Sequence, residues 1–545
     1  MAKTSPKSIP LEARLKSLGV AWWILLTIAL VVIAVIRIRL LSFPLERDEG
    51  EYAYAGQLML QGIPPYQLAY NMKFPGTYAA YALVMSIFGQ TIVGIHLGLF
   101  VVNAATIVLV FLLGRRLVNS TAGIVAAASY AILSVSPSVL GFAAHATHFV
   151  MLPVLGGALL LLRPSSSPSK KIVFATGVLF GIGLLMKQPA LFFIPFGAGY
   201  LFYRDWRARL NWRQISVRSA IFLGGAALPL AATCLVLWRD GVFEKFWFWT
   251  WTYARAYGGL VSPSQGIQIF FGNIAGVIGS GWVLWVFAAV GVIACLWDKK
   301  LRSNAAFLLA FLFFSGLALC PGFYFRQHYF ILVLPAICLL AGAAVAGAEN
   351  FCSRYARLVR FIPLVLFGTA WTLPLLAGTS FFFAPNSVAA CRMIYGSNPF
   401  PEAVRIAEYL KEHTNADDTV VVLGSEPEIY FYSHRHAATG YIYTYGLMEP
   451  HQHALPMQRE MIQEIEAARP KYLIAVPMNV SWLKRPDSEN LIFDWFGKYR
   501  AQNFAMVGVV TIVSADRTDY YLPLSSESVQ IAPDSILIYK SKSDP

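Results

Sequence analysis

The sequence predicts a polytopic α-helical membrane protein with a separate α/β domain at its C-terminal end. Of the 545 residues, 57% are hydrophobic and only 13% are charged, roughly half the charged share of soluble proteins. Long apolar runs recur from residue 20 to residue 383 and then stop. From residue 384 to residue 545, polar turns, charged helical segments and short apolar runs alternate. This alternation is typical of a soluble α/β domain with some parallel strand pairing.

The chain begins with a basic tail, residues 1–19, followed by the first apolar run at about 20–42. Lysine and arginine in a short terminal segment predict that the segment lies in the cytoplasm. The run carries no small-residue cleavage site of the signal-peptide kind, and Arg37 and Arg39 stand at its far end. We therefore expect a retained first span that leads out of the cytoplasm.

Eleven membrane crossings are predicted for residues 20–383, with the N-terminus inside. The apolar runs lie at about 20–42, 78–88 and 92–113 (taken together as one span with an irregular start), 121–140, 147–162, 172–186, 189–203, 216–238, 279–297, 304–320, 327–347 and 361–379. Most lysines and arginines then fall in loops on the cytoplasmic side, which supports this orientation. The same bias accounts for the net charge of +14 without a nucleic-acid partner, and it places the C-terminal domain outside.

The first outer loop, residues 43–77, contains a cluster of four acidic residues, Glu46, Asp48, Glu49 and Glu51. A short helix is predicted over 48–61, because carboxylates favour a first helical turn and Gly62 with Pro64 and Pro65 ends it. The cluster is either a solvated helix start or the source of a general base that accepts a proton from an acceptor hydroxyl. All four carboxylates remain candidates for that base at this point.

Cationic and polar residues recur at the same predicted membrane face. Lys73 lies in the first outer loop, Lys187 between two apolar runs, and Arg326 and His328 before another. Lys187 is either a lysine that reaches to the interface or a phosphate contact. Aromatic anchoring explains the neighbouring Tyr and Phe residues, but not Arg326 and His328. Together with a carboxylate, such cations suit transfer from a lipid-phosphate donor, where charge develops on the leaving phosphate.

Two further stretches remain open to more than one interpretation. His145 and His148 stand three residues apart, so one face of a helix would present both to a divalent metal or to a phosphate. The outer loop from Phe243 to Gln265 is rich in aromatic residues and contains Arg255. It is predicted to be an interfacial helix, and its surface would also suit a polyprenyl chain or the face of a sugar.

The first-loop motif resembles that of the GT-C glycosyltransferases. It consists of Arg47-Asp-Glu-Gly-Glu-Tyr-Ala-Tyr-Ala55, then Gly62-x-Pro-Pro-Tyr66, then Lys73-x-Pro75, all after a basic tail and a first span. Within GT-C, it is most similar to the protein O-mannosyltransferase, aminoarabinose transferase and RgtA/B/C/D-like group. The resemblance covers roughly residues 20–350 and recurs in Gly183-Leu-Leu-Met-Lys187 and in His328-Tyr-x(5)-Pro335.

This resemblance implies an inverting transfer from a polyprenyl-phosphate sugar at the outer membrane face. It places the first-loop acidic residue on Asp48, beside Glu49, and the two lysines on Lys73 and Lys187. On this ground we assign the base to Asp48, with Glu49 as a second base candidate or its hydrogen-bond partner, and we expect Glu46 and Glu51 to be solvated. The chain departs from the family pattern in having Phe74-Pro75-Gly76 instead of a Pro-Pro pair. It also has His145 and His148 where many members carry an acidic residue, which leaves metal use and the acceptor class open.

The sequence therefore predicts a plasma-membrane (inner-membrane) glycosyltransferase that acts by single displacement, with Asp48 as the base. The donor phosphate is assigned to Lys73, Lys187, Arg326 and His328. Accessory roles are assigned to Arg47, Tyr66, His145, His148 and Arg255. The expected partners are the donor lipid, membrane lipids and an acceptor that is a glycan, a lipid or a protein. No cofactor is assigned, and a divalent metal at His145 and His148 is the alternative. A transporter of polysaccharide or lipid-linked glycan, or an O-antigen polymerase or ligase, is the competing interpretation.

Overall fold

A computed structural model describes residues 11–163, 169–352, 354–355, 358–524 and 531–542. The predicted cytoplasmic tail comprises residues 1–19, and its first ten residues lie outside the described residues.

Apolar helices packed side by side form the N-terminal domain. In chain order they are α1 Leu11–Arg39, α2 Arg47–Leu60, α3 Gly76–Phe88, α4 Ile92–Leu117, α5 Ser120–Leu133, α6 Ala146–Leu161, α7 Lys170–Met186, α8 Phe193–Arg207, α9 Trp212–Arg239, α10 Phe243–Trp247, α11 Ala254–Gly258, α12 Pro263–Ile278, α13 Trp282–Trp297, α14 Lys299–Leu317, α15 Leu334–Cys352 and α16 Ile362–Ala377. A π-helical turn, Phe248–Tyr253, joins α10 to α11, and a 3₁₀ turn, Gln327–Leu332, precedes α15.

Within the described residues, six helical segments are long and apolar enough to cross a membrane. They are Gly19–Arg39, Ile92–Leu117, Trp212–Arg239, Pro263–Leu296, Leu334–Cys352 and Val359–Ala377. Shorter apolar helices, among them α3, α5 and α6, fill the space between them. The predicted span 78–113 is two helices, α3 and α4, because Gly89 adopts a φ of 89° and ends α3. The sequence prediction omitted the apolar helix α12.

Small side chains let the central helices approach closely, as is usual inside helical membrane proteins. A Cβ atom on Gly342 of α15 would lie 2.3 Å from the carbonyl oxygen of Ala122 in α5. The alanines Ala126, Ala127 and Ala128 of α5 are all fully buried. The tight centre fixes the outer ends of the helices, from which the loops described below project.

The C-terminal domain is built on a six-stranded mixed sheet. Its helices and strands in order are α17 Thr379–Phe382, α18 Ser387–Tyr395, α19 Phe400–His413, β1 Thr419–Leu423, α20 Glu428–Ser433, β2 His436–Ala437, α21 Tyr445–Met448, α22 Ala454–Ala468, β3 Tyr472–Ala475, α23 Asn479–Trp482, α24 Leu491–Asn503, β4 Phe504–Ile512, β5 Thr518–Tyr521 and β6 Ser535–Ser541. The strand order is β2-β1-β3-β6-β4-β5. β1 runs parallel to β2 and β3, and the remaining pairs are antiparallel. The predicted α/β fold with partial parallel pairing is confirmed.

The C-terminal domain is docked on the first outer loop through shared apolar cores. Tyr52, Tyr54 and Leu58 of α2 belong to the same buried cluster as Val420 of β1 and Tyr430 of α20. Hydrogen bonds join the same surfaces. Tyr54 Oη accepts from the Ala437 amide at 2.8 Å, and the Tyr70 amide donates to the Gly440 carbonyl at 2.7 Å. The helix predicted over 48–61 is thus present as α2, but it is enclosed by both domains.

Candidate active site

Helix α2 carries its own start signal. The side chain of Glu46 accepts a hydrogen bond from the Glu49 amide at 3.0 Å, and the Glu49 carboxylate accepts one from the Glu46 amide at 3.2 Å. This reciprocal capping box satisfies amides that a helix start would otherwise leave unpaired. Asp48 lies in the turn between these two residues. Its side chain is therefore the one directed away from the cap.

A cavity of about 200 Å³ opens beside Asp48, between the membrane domain and the C-terminal domain. Five of the residues singled out in the sequence line it, namely Asp48, Lys73, Lys187, Arg326 and His328. They come from α2, from the loop before α3, from the turn after α7 and from the segment before α15. The fold thus joins the predicted base and the four predicted phosphate ligands, which span nearly 300 residues of the chain, in one cavity.

Asp48 and Lys73 form an ion pair inside the cavity wall. Lys73 Nζ lies 2.8 Å from Asp48 Oδ1 and 2.7 Å from Glu51 Oε2. Burial by itself raises the pKa of the Asp48 carboxyl, but attraction to Lys73, His145 and Lys187 outweighs burial and sets this pKa below its usual range. Asp48 is therefore a carboxylate at every working pH. Burial opposes the charge on Lys73 as well, yet Asp48 and Glu51 raise its pKa.

Glu46 and Glu51 are buried, so the expectation that both would be solvated is wrong. Only 1% of Glu51 and 8% of Glu46 is exposed. Glu51 accepts hydrogen bonds from the Tyr78 hydroxyl at 2.6 Å and the Asn71 amide at 2.8 Å, besides the Lys73 contact. A buried carboxylate needs such partners. Glu51 thereby fixes Lys73 next to Asp48.

Lys187 faces the cavity from the junction of α7 and the 3₁₀ turn that follows it. That turn spans Gln188–Phe192, with Pro189 in its first positions and Lys187 directly before it. The ammonium of Lys187 lies 4.2 Å from the centre of the Tyr329 ring. Burial lowers the pKa of Lys187 to about 7, with Lys73 and Arg326 adding to this and Asp48 opposing it. An anion that enters the cavity therefore favours the protonated, charged form of Lys187.

Arg326 lies among tyrosines, with its guanidinium carbon 5.6 Å from the Tyr324 ring and a nitrogen 3.4 Å from the Tyr257 hydroxyl. Burial disfavours its charge, but Tyr257, Tyr329, Tyr443 and Asp48 raise the pKa of Arg326, so it stays cationic. It provides a permanent positive charge in the same wall as Lys187.

His145 stacks on His328, with ring centres 4.2 Å apart. Both histidines are buried, and burial lowers the pKa of His145 to about 4 and that of His328 below its usual range. Each is therefore a neutral imidazole, the form that ligates metals. One ligand atom from each of Asp48, His145 and His328 lies within 4.8 Å of the others. Two imidazoles and a carboxylate suit a divalent cation such as zinc.

The expected pairing of His145 with His148 is not formed. His148 Nε2 contacts the Gly141 carbonyl at 3.1 Å, and the described cluster of ligand-type residues contains His328 in its place. The reason is that His145 precedes α6 while His148 lies within it, so the two residues do not share a helical face.

Four other sequence candidates do not line the cavity, although Tyr66 and Arg47 contact residues that do. Glu49 is fully buried and accepts from the Ala144 amide at 2.6 Å and contacts His96 at 3.1 Å. Arg47 binds Glu426 at 3.1 Å across the domain boundary. The Tyr66 hydroxyl donates to the Lys73 carbonyl at 2.7 Å. Arg255 is exposed. None of the four lines the cavity described above.

Sequence reasoning singled out the aromatic outer loop that lines the opposite wall of the cavity, but it missed the contribution of the C-terminal domain. Trp249, Tyr253 and Tyr257 line that wall from the aromatic outer loop, and Tyr441, Tyr443, Tyr445 and Glu449 from the C-terminal domain. The alternating run Tyr441-Ile-Tyr-Thr-Tyr445 was a signal for a surface lined by aromatic side chains, because alternate residues of an extended segment point the same way.

Residues 73–238 match the protein-family model described as dolichyl-phosphate-mannose-protein mannosyltransferase. The chain is 26% identical over 274 residues to the undecaprenyl phosphate-alpha-4-amino-4-deoxy-L-arabinose arabinosyl transferase of Pseudomonas aeruginosa strain UCBPP-PA14. That alignment covers 47% of this chain and 45% of the relative. The aligned region thus spans less than half the length of this curated relative.

Two solved structures resemble the whole chain. ArnT from Cupriavidus metallidurans in the apo state aligns with a TM-score of 0.55 and 15% identity, covering 95% of this chain and 97% of that one. ArnT bound to undecaprenyl phosphate aligns with a TM-score of 0.53 and 14% identity, covering 94% and 97%. The chain has the fold of ArnT, a GT-C membrane protein. The expected GT-C architecture and a multi-pass membrane location are confirmed.

Proposed function

We propose that this protein, which has the GT-C fold of ArnT, is a glycosyltransferase that uses a polyprenyl-phosphate-linked sugar. The observation that carries the proposal is the meeting of the Asp48 carboxylate with Lys73, Lys187, Arg326 and His328 in one cavity. The family-model match and the arabinosyl transferase relatives, whose names specify lipid-phosphate-linked substrates, support it. The acceptor is a glycan, a lipid or a protein.

In the proposed reaction, Asp48 receives the proton of the acceptor hydroxyl. The ion pair with Lys73 involves Oδ1 of Asp48. The other carboxylate oxygen, Oδ2, is the one that we assign to the acceptor hydroxyl. A hydroxyl held there attacks the anomeric carbon of the donor as the bond to the phosphate oxygen breaks. The acceptor proton passes to Asp48, and polyprenyl phosphate leaves. One displacement at the anomeric carbon inverts its configuration.

Lys187 and Arg326 stabilise the leaving phosphate. Charge on the phosphate grows as the glycosidic bond breaks, and cations placed in advance in a dry site lower the energy of that transition state. The neutral imidazole of His328 adds a hydrogen bond. Lys73 is bound to Asp48 and Glu51, so its part in this scheme is to keep Asp48 ionised and oriented.

No cofactor is assigned to the reaction. Asp48, His145 and His328 are the residues that would hold a divalent cation if one binds. Such a cation would supply Lewis-acid polarisation of a bound hydroxyl. Lys73 and Lys187 lie close to the same carboxylate and would compete with the cation for it.

The proposed location is the inner (plasma) membrane, with the cavity and the C-terminal domain on the extracytoplasmic side. Membrane lipids and the donor lipid are the partners that this placement requires. A lipid-linked donor carries its own activation, so the reaction needs no nucleotide sugar outside the cell.

The substitution Asp48→Asn tests the assignment of the base. We expect purified variant protein in lipid vesicles to lose transfer by about 10²-fold or more, as removal of a general base does, while expression and insertion stay normal. Asn keeps the shape of Asp but cannot take up the proton. The measurement is release of polyprenyl phosphate from a monosaccharide donor lipid in the presence of an acceptor extract.

Asp417→Asn, an equivalent change at an exposed position of the C-terminal domain, is the matched control and should retain wild-type turnover. Turnover retained in Asp48→Asn would remove Asp48 from the mechanism. A wild-type preparation that moves lipid-linked glycan without releasing polyprenyl phosphate would point to a transporter. A preparation that works only on an oligosaccharide diphosphate donor would point to a polymerase or ligase.

A further inference from the structure

The C-terminal domain forms one complete wall of the cavity. The segment from Tyr441 to Glu449 contributes Tyr441, Tyr443, Tyr445, Gly446, Leu447 and Glu449 to the lining. This wall faces the cations and Asp48, which are carried by the membrane domain. Tyr441 packs edge-on against Tyr70 and Trp249 of the outer loops, with ring centres 5.2 Å and 5.8 Å away. The segment is therefore held firmly in place.

Glu449 is the second acidic side chain among the residues that line this cavity. Its side chain is only 10% exposed. The Tyr253 hydroxyl donates a hydrogen bond to Glu449 Oε2 at 2.8 Å, and His451 Nε2 lies 3.7 Å from the same oxygen. A carboxylate accepts about four hydrogen bonds when ionised. Glu449 thus keeps accepting capacity on the cavity side, where it has no role in the displacement proposed above.

We propose that Glu449 is a sugar-binding residue of this site. Its carboxylate accepts a hydrogen bond from a ring hydroxyl of a sugar in the cavity, and the surrounding tyrosine and tryptophan rings pack against the faces of that sugar. The sugar is either the one transferred or one in the acceptor. This inference rests on the proposed glycosyltransferase function and deepens it, because it assigns recognition of the sugar to the C-terminal domain.

The lining fits a sugar better than it fits a purely apolar or purely ionic ligand. Aromatic side chains offer broad apolar faces with a polar tip, and a sugar ring combines apolar C–H faces with hydroxyl groups at its edge. A few polar groups fixed in an otherwise aromatic pocket set the orientation of such a ligand. Tyr253 fixes the carboxylate of Glu449, and Trp249, Tyr257 and Tyr441 supply the faces.

Burial makes the Glu449 carboxylate receptive to a hydrogen-bond donor. Burial raises its pKa to about 7, while the Tyr253 hydrogen bond and the charges of Arg485 and Arg326 oppose the rise. Within the part of the chain that the structure describes, Glu449 forms no ion pair with a lysine or arginine of the kind that Asp48 forms with Lys73. A hydroxyl placed beside it supplies the missing hydrogen bond.

The substitution Glu449→Gln tests this assignment while keeping the size of the side chain. A hydrogen bond to a charged group is roughly twice as strong as a neutral one. We therefore expect KM for the sugar-bearing substrate to rise about tenfold at pH 8, where the Glu449 carboxyl is largely ionised, with kcat changed less. Glu412→Gln, an exposed position in the same domain, is the matched control and should leave both constants unchanged.

A series of deoxy-sugar substrates separates binding from a structural role. The wild-type protein should discriminate against the analogue that lacks the bound hydroxyl, and Glu449→Gln should lose most of that discrimination. An increase in KM for the donor lipid alone assigns the contact to the transferred sugar. An increase for the acceptor alone assigns it to an acceptor sugar.

Gly446→Ala provides an independent variant, because a Cβ at Gly446 would lie 2.8 Å from the Tyr253 hydroxyl. Displacing that hydroxyl should raise the same KM through a misplaced Glu449. Unchanged KM values and unchanged deoxy discrimination in an active Glu449→Gln protein would overturn the inference and leave the proposed function intact. A wild-type protein that never releases polyprenyl phosphate would instead refute the proposed function itself.

Discussion

Lys187 combines the cost of a buried ammonium with the phosphate-binding role that we propose for it. Its ammonium is buried against the Tyr329 ring and shares the cavity with Lys73 and Arg326. Burial and the neighbouring cations lower its pKa to about 7, with Asp48 the main opposing charge. The side chain thus exchanges its proton in the range where cells work. A phosphate that enters the cavity favours the charged form.

This gives a prediction for the pH dependence of donor use. The sugar–phosphate–lipid diester stays anionic throughout, so loss of the Lys187 proton removes an attraction. We expect kcat/KM for the donor to fall as pH rises from about 7, because kcat/KM reports the free enzyme. Lys187→Arg should abolish this alkaline fall, since arginine stays charged. The measurement is initial rate against donor concentration between pH 6 and 9.

The control for this prediction is Lys245→Arg, a lysine that binds Glu460 at 2.8 Å outside the cavity. That variant should keep the wild-type pH profile. An alkaline fall that persists unchanged in Lys187→Arg would assign the titration to another group.

At the scale of single elements, α2 has the central position. One side of it packs on α3, and the other packs on α20 of the C-terminal domain. Its acidic cap orients Asp48, and its tyrosines enter the core shared with the C-terminal sheet. The helix that presents the proposed base is therefore held by both domains. Docking of the C-terminal domain and the position of Asp48 are linked through it.

Gly50 makes this packing close, which allows a test by substitution. A Cβ at Gly50 would lie 2.7 Å from the backbone nitrogen of Glu428 and 2.7 Å from its Cβ. We expect Gly50→Ala to destabilise the docked state by about 1–3 kcal/mol, the usual cost of overpacking, and to lower transfer. Thermal unfolding of the detergent-purified protein measures the first effect, and polyprenyl phosphate release measures the second.

Gly199→Ala in α8 is the matched control, because a Cβ there meets no described atom within 4 Å. Alanine at that helical position should leave the protein as stable or slightly more stable. An unchanged melting temperature in Gly50→Ala would show that the contact between α2 and α20 relaxes without cost.

For the whole molecule, the two domains enclose the cavity between a cationic wall and an aromatic wall. The cations come from the membrane domain. The aromatic wall comes from Tyr441, Tyr443 and Tyr445 of the C-terminal domain and from the loop after α9. Apolar clusters shared by the two domains hold the walls together. The first outer loop, the loop after α9 and the C-terminal domain must therefore lie on the same side of the membrane.

Orientation gives a prediction at this scale. We expect Asp417→Cys in the C-terminal domain to react with a membrane-impermeant maleimide in intact spheroplasts. Arg209→Cys, between α8 and α9, should react only after the membrane is permeabilised, because basic loops face the cytoplasm. The unsubstituted protein, with its six cysteines, supplies the background. The reverse labelling pattern would invert the proposed topology and move the cavity to the cytoplasmic face.

Composition and local pattern were enough for the class of fold and for several elements. Apolar run length indicates membrane helices whatever their neighbours are. The boundaries of α2 followed to within one residue from its acidic first turn and from the Gly62, Pro64 and Pro65 stop signal. Asp48, Lys73, Lys187 and Arg326 were identified as candidates because charges next to apolar runs are costly. Local signals separated the apolar runs on either side of Gly89, but they failed at the apolar helix α12.

Only the tertiary structure decided which of these residues meet. Glu46, Glu49 and Glu51 are acidic residues of the same helix start as Asp48. In the folded protein, Glu46 caps α2, Glu49 contacts His96 and Glu51 binds Lys73. Of the four, only Asp48 lines the cavity. His145 found its partner in His328, 183 positions along the chain, and Glu449 entered the site from another domain. The sequence alone identifies the charges that are costly to bury, because the free energy of desolvation depends on the type of each side chain. The partners that offset it are set by long-range packing, which no local pattern contains.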